Sequence, residues 1–150
     1  MAIFTWRNSE GFTLIELLIV VVLISIILGV SIPGYRQYVQ RASRGDATTA
    51  LLRLAAAQER FYMQNGAYAG PAQLALPPPA GLGFTANASE RGYYNLLVAP
   101  NVGGLAVGYV AIATPVPGGN QADDVQCALF SINESGTRTS LPGDIETCWR

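Results

Sequence analysis

The chain has 150 residues, half of them hydrophobic and only 13% charged, roughly half the charged share of an ordinary soluble domain. Its nine Arg stand against ten Asp and Glu, with no Lys and no His, and the net charge of −1 gives no bulk attraction to nucleic acid or to an anionic membrane. Without histidine, Ser-His and Cys-His catalysis and most zinc sites are excluded. Composition argues against an enzyme, and nothing in it asks for a cofactor.

The apolar excess lies at one end. Residues 12–32 read FTLIELLIVVVLISIILGVSI and carry a single charge, Glu16. A helix of that length crosses a hydrocarbon core of about 30 Å. A cleaved secretory signal would need an apolar core of roughly 7–15 residues before a small-residue cleavage site. This run is longer, its leader holds only Arg7 as a base, and a carboxylate sits near its start. A plain membrane anchor fits the length but gives no reason for Glu16, since an acid costs up to ~2.5–3.5 kcal/mol at mid-bilayer.

The string Gly11-Phe12-Thr13-Leu14-Ile15-Glu16, the aliphatic run behind it and Pro33 at its end closely resemble the type IV pilin signature. The resemblance implies cleavage after Gly11 by a prepilin peptidase and N-methylation of Phe12. It places the family's assembly glutamate on Glu16 and its helix-breaking proline on Pro33. The implied organisation is a cytoplasmic leader (1–11), a transmembrane and filament-core half-helix (12–35), and a periplasmic or extracellular head (36–150). The implied fold is α+β: a long N-terminal helix packed on an antiparallel sheet of about four strands.

Residues 36–64 are rich in Ala, Leu, Gln, Glu and Arg and lack Pro, which favours helix. Ala47, Leu51, Leu54, Ala55, Gln58 and Phe61 or Tyr62 recur at three-to-four spacing and mark one inward face. Asn65-Gly66 is a stop signal. A helix continuous over 12–64 would span about 80 Å, with a curve or local melting expected at Pro33-Gly34. Residues 67–92, with Pro71, Pro77–Pro79 and several Gly, predict a long ordered loop. Strands are predicted over 93–99, 105–114, 126–132 and 137–140, the last two joined by a hairpin over Asn133-Glu134-Ser135-Gly136. Alternation of Tyr109, Ala111 and Ala113 with Val110 and Ile112 suits a sheet covered on one face.

Cys127 and Cys148 both lie in the last quarter of the chain. With the leader cytoplasmic, the head lies outside the inner membrane, where disulfides persist. Bridging would pin the C-terminus to the sheet, worth ~3 kcal/mol on a loop-entropy model; two buried free thiols are the alternative. A metal site lacks the ligand count. In pilins the corresponding pair bounds the D-region, so the resemblance implies the bond.

Three further features have ordinary readings. Asp123-Asp124 lacks the ligand ladder of a calcium loop and reads as a solvated turn. Asn87-Ala88-Ser89 and Asn133-Glu134-Ser135 match a glycosylation pattern that is common by chance. The five Arg between Arg36 and Arg60 face only Asp46 and Glu59, and read as a solvated or subunit-facing helix side.

The runs Ala55–Tyr62 and Asn65-Gly66-x-Tyr68, with the ending from Cys127 to Cys148-Trp149, resemble the PilE-type minor pilins. The implied function is that of a structural subunit of a type IV pilus, one that helps initiate or joins the filament in twitching motility and adhesion. Its implied partners are other pilin subunits, the prepilin peptidase, an inner-membrane assembly platform, and the inner membrane before assembly. A major-subunit role is the alternative. So is DNA binding, since one related minor pilin is a DNA-uptake receptor. Against that, residues 36–150 hold eight Arg and eight acids, whereas phosphate binding depends on neutralising several charges.

Overall fold

The computed structural model describes residues 11–149, apart from the side chains of 30–33 and 86. The predicted leader, except Gly11, and the Pro33 side chain lie outside the described residues. The chain divides into two compact units, one ending at Gln37 and the other starting at Tyr38.

Helix α1 spans Leu14–Asn65. Thr13 caps it: its Oγ1 accepts from the Glu16 amide at 3.3 Å and its carbonyl accepts from Leu17 at 3.2 Å. Thr13-x-x-Glu16 thus has the spacing of a capping box, with the acid in the first turn where the helix dipole favours it. The helix ends at Gly66, whose φ of 71° and amide bond to the Tyr62 carbonyl at 2.8 Å make the glycine stop read from the sequence. It also continues through Pro33 and Gly34, so the local melting expected there does not occur. Proline removes one donor and crowds one turn, and the long helical stretches on either side outweigh that defect.

The unit from Tyr38 onward carries a four-stranded antiparallel meander in the order β1-β2-β3-β4. Its strands are β1 Tyr94–Pro100, β2 Tyr109–Pro115, β3 Cys127–Asn133 and β4 Arg138–Pro142. Strand β2 starts four residues later than the composition suggests. The Gly104 amide bonds the Asn101 carbonyl at 2.8 Å, which turns the chain before Tyr109 can pair with Pro100. The β3–β4 hairpin closes on Asn133, whose Oδ1 accepts from the Thr137 amide at 2.8 Å, with Gly136 at φ 76°.

One face of the sheet presents Leu96, Ala113 and Phe130 in one row and Val98, Ala111 and Ile132 in the next. These are buried in one cluster with Ala47, Ala50, Leu51, Leu54 and Ala57 of α1. Alanines on both sides let helix and sheet approach closely. Tyr94 and Phe130 meet edge to face at 5.6 Å, a favoured aromatic geometry. The connection from α1 to β1 is a loop with two 3-10 turns, Pro71–Gln73 and Thr85–Asn87, and it contributes buried Leu74 and Leu82. The long helix packed on a four-stranded antiparallel sheet is the fold read from the sequence.

Candidate functional site

Two regions carry the functional residues. The first is the start of α1. Phe12, Leu14, Ile15, Leu17 and Leu18 are all exposed, as is every described aliphatic side chain from Ile19 to Leu28. Among the described residues, α1 is the one helix long and apolar enough to cross a membrane. Ser25 donates its hydroxyl to the Val21 carbonyl at 2.7 Å, a local bond open to a serine within a helix. Glu16 stays the lone carboxylate of this surface. Gly11 precedes the helix, with open space where a Cβ would stand.

The second region is the C-terminal loop. Cys127 and Cys148 are joined, and both are fully buried. A β-bulge makes this possible. Phe130 and Ile132 face the core, so strict alternation would turn Cys127 outward. Between Cys127 and Leu129 the register with β4 slips by one residue, and the extra residue re-aims the cysteine inward. The chain then turns through Gly143 into the single helical turn α2, Ile145–Cys148, capped by the Asp144 carboxylate accepting from Thr147 N at 2.7 Å. Trp149 donates its indole N–H to the Thr139 carbonyl at 2.9 Å and lies under the Arg138 guanidinium, 5.3 Å from the ring centre.

Sequence reasoning missed how α1 holds these loops. Asp124, read as part of a solvated turn, is buried with only Asp123 exposed. Its carboxylate accepts two bonds from Arg44, at 2.7 and 2.8 Å. Arg44, read with the solvated arginines, is itself 5% exposed. A buried guanidinium needs such a paired, bidentate partner, but the two residues are 80 positions apart and no local pattern joins them. Asp46 is likewise buried, accepting from Ser89 Oγ at 2.5 Å and from the Arg91 amide at 3.3 Å. Ser89 of the first glycosylation-like triplet is therefore buried in a hydrogen bond. Gln58, placed correctly on the inward face, takes both backbone groups of Ala69, at 2.9 and 2.8 Å.

Arg53 pairs with Glu90 beside a cleft of about 350 Å³ that Arg60 also lines. Arg36, Arg41, Arg60, Arg91 and Arg138 are exposed. At the far end of α1, Tyr62 stacks on Tyr68 with ring centres 4.6 Å apart, and Tyr68 meets Tyr109 at a tilt, 4.9 Å away. Burial, with smaller contributions from Glu59 and Tyr68, pushes the Tyr109 phenol well above its ordinary value.

Comparison with known proteins sets this geometry in a family. The prokaryotic N-terminal methylation motif matches residues 6–32, and the model described as type IV minor pilin ComP, DNA uptake sequence receptor, matches residues 33–131. Over 61 residues the chain is 38% identical to the type IV major pilin protein PilA of Myxococcus xanthus, covering 41% of this chain and 28% of that protein. Over 95 residues it is 33% identical to the fimbrial protein EcpC of Eikenella corrodens, covering 63% and 57%. The chain thus spans less than two thirds of the length of these curated relatives. The non-core minor pilin PilV of Neisseria meningitidis has the same fold, at a TM-score of 0.50 and 20% identity over 74% of this chain and 94% of that one. With one family model covering most of the chain behind a methylation motif, the chain belongs to the type IV pilins, in the family described as type IV minor pilin ComP, DNA uptake sequence receptor.

Proposed function

We propose that this chain is a minor, non-catalytic subunit of a type IV pilus, made as a precursor with the leader 1–11. On this reading a prepilin peptidase cuts after Gly11, the new amine of Phe12 is methylated, and the apolar half of α1 holds the subunit in the inner membrane with the head on the periplasmic side. An assembly platform then transfers it into a filament beside other pilins. One observation carries the reading: an exposed apolar helical surface that holds, among the described residues up to Leu28, one carboxylate, Glu16. In lipid or among neighbouring half-helices, aliphatic packing is nearly free of directional preference. A methylated ammonium meeting Glu16 of a neighbour would supply the missing axial register, since methylation leaves the charge in place. Pro33 falls at the family's helix-breaking position, although α1 runs on through it.

The test replaces Glu16 with alanine. Cleavage after Gly11 should persist, while the amount of this subunit in sheared filaments should fall at least several-fold. Equal incorporation of Glu16→Ala and wild type would remove the register role.

The family description favours a second reading, DNA reception. Arg44 is committed to Asp124 and Arg53 to Glu90, which leaves, among the described residues of the unit from Tyr38 onward, Arg41, Arg60, Arg91 and Arg138 as exposed positive groups. If duplex DNA engages several of them, the logarithm of affinity should fall with the logarithm of salt at about 0.9 per phosphate contacted. Binding that is absent at low salt would end this second reading and leave the first intact.

A further inference from the structure

The Arg44 guanidinium touches the flanks of both cysteines at once. Its Nε and Nη2 bond the carboxylate of Asp124, three residues before Cys127, and its Nη1 donates to the carbonyl of Thr147, the residue before Cys148, at 3.1 Å. The Asp124 carbonyl in turn accepts from the Cys127 amide at 3.2 Å, while the Cys148 amide bonds the Asp144 carbonyl at 3.1 Å. Between them the Gly143 amide bonds the Gln126 carbonyl at 2.8 Å. Gly143 is packed so tightly that a Cβ there would meet Gln126 O at 2.5 Å and the Cys148 sulfur at 2.9 Å. None of these hydrogen bonds involves a sulfur atom.

We propose that Arg44 is the positioning residue for closure of the C-terminal loop: it gathers the Cys127 and Cys148 segments on α1 before oxidation, so that the thiols meet as an ordered pair. The bond then forms by ordinary exchange with a small-molecule disulfide such as oxidised glutathione. One cysteine thiolate attacks the oxidant, forming a mixed disulfide and releasing one glutathione thiolate. The second cysteine's thiolate attacks the protein-side sulfur of that mixed disulfide, forming Cys127–Cys148 and releasing the second glutathione thiolate. Two electrons pass from the cysteine pair to the oxidant. Only the second, intramolecular step depends on how closely the two segments are held, so the effective concentration of one thiol at the other is the quantity Arg44 controls.

The experiment takes the full chain in detergent, reduces it, adds oxidised glutathione, and quenches by alkylation for mass measurement over time. Wild type should pass to the closed form with little mixed disulfide. Arg44→Lys keeps the charge but cannot bridge Asp124 and Thr147 together. It should accumulate the singly glutathionylated chain and slow the second step on the order of tenfold, the scale of losing charge-assisted hydrogen bonds. Asp124→Asn, which spares the Thr147 contact, should fall between, and Arg53→Lys, at an exposed ion pair, should match wild type. Helix content is followed alongside by circular dichroism. Equal second-step rates for Arg44→Lys and wild type would overturn the proposal. So would a slowing of both exchange steps together with lost helix, because that signals general unfolding and not misplacement of one thiol.

Discussion

The two parts of α1 solve opposite problems with one secondary structure. Up to Gln37 the described aliphatic side chains are about half exposed or more, as with Val22 at 48% and Leu23 at 54%. That surface is larger than a monomer in water ordinarily exposes, and on the proposed reading lipid or other half-helices cover it. From Tyr38 on, the helix is pinned within its own unit. Leu51 and Leu54 are fully buried, and Arg44, Asp46 and Gln58 each fix a different loop. Apolar burial supplies the energy in both places, yet only the second part carries the polar anchors that fix one arrangement within the chain. The first part has Glu16, whose counterpart on the proposed reading is the methylated amine of a neighbouring subunit.

That contrast breaks most visibly on truncation of a core side chain. Phe130→Ala removes a fully buried ring that contacts Tyr94 and Trp149, and should cost about 3–5 kcal/mol of head stability. Leu23→Ala should leave the head's denaturant midpoint unchanged, because Leu23 lies in the other compact unit and is 54% exposed. Equal losses from both, measured by denaturant unfolding of the detergent-solubilised chain, would erase the distinction.

A smaller effect sharpens the role of the polar anchors. Gln58→Ala leaves the Ala69 amide and carbonyl without partners in a buried site, and should destabilise the head by about 1–3 kcal/mol. Hydrogen exchange at Ala69 should rise in step, while exchange in β3 should change less.

The smallest effect is a pH response. Tyr109 is held neutral by burial, with its pKa raised from the ordinary 10.0. The unfolded tyrosine ionises near pH 10 while the native one does not, so its contribution is fully present below pH 10 and is lost as pH rises toward the native value. Tyr109→Phe should therefore flatten the loss of stability above pH 10 and leave stability at pH 7 within about 0.5 kcal/mol of wild type. A pH profile of the melting temperature reads this directly.

Much of this architecture was legible because it is local. Periodicity placed Ala47, Leu51, Leu54 and Gln58 inward, alternation placed Tyr109, Ala111 and Ala113 on one face, and Gly66 and Gly136 marked their turns. The GFTLIE string brought with it the family and the fold. Other features were less legible because they depend on competing or distant contacts. Thr13 and Glu16 have capping-box spacing, a second physical reason for an acid at that position, hidden behind the stronger signature. Pro33 argued for a curve or local melting, and the helix stays formed through it. The Arg44–Asp124 pair and the Asp46–Ser89 bond join residues 80 and 43 positions apart. Composition scores all four as surface residues, and only the folded chain shows them buried.

On the proposed reading the apolar part of α1 is kept after processing and carried into a filament. Mass measurement of this chain in sheared filaments checks this, and the expected species starts at Phe12 and carries one added methyl there. A mature chain starting near Ile32, or filaments that assemble normally without this chain among their subunits, would contradict it.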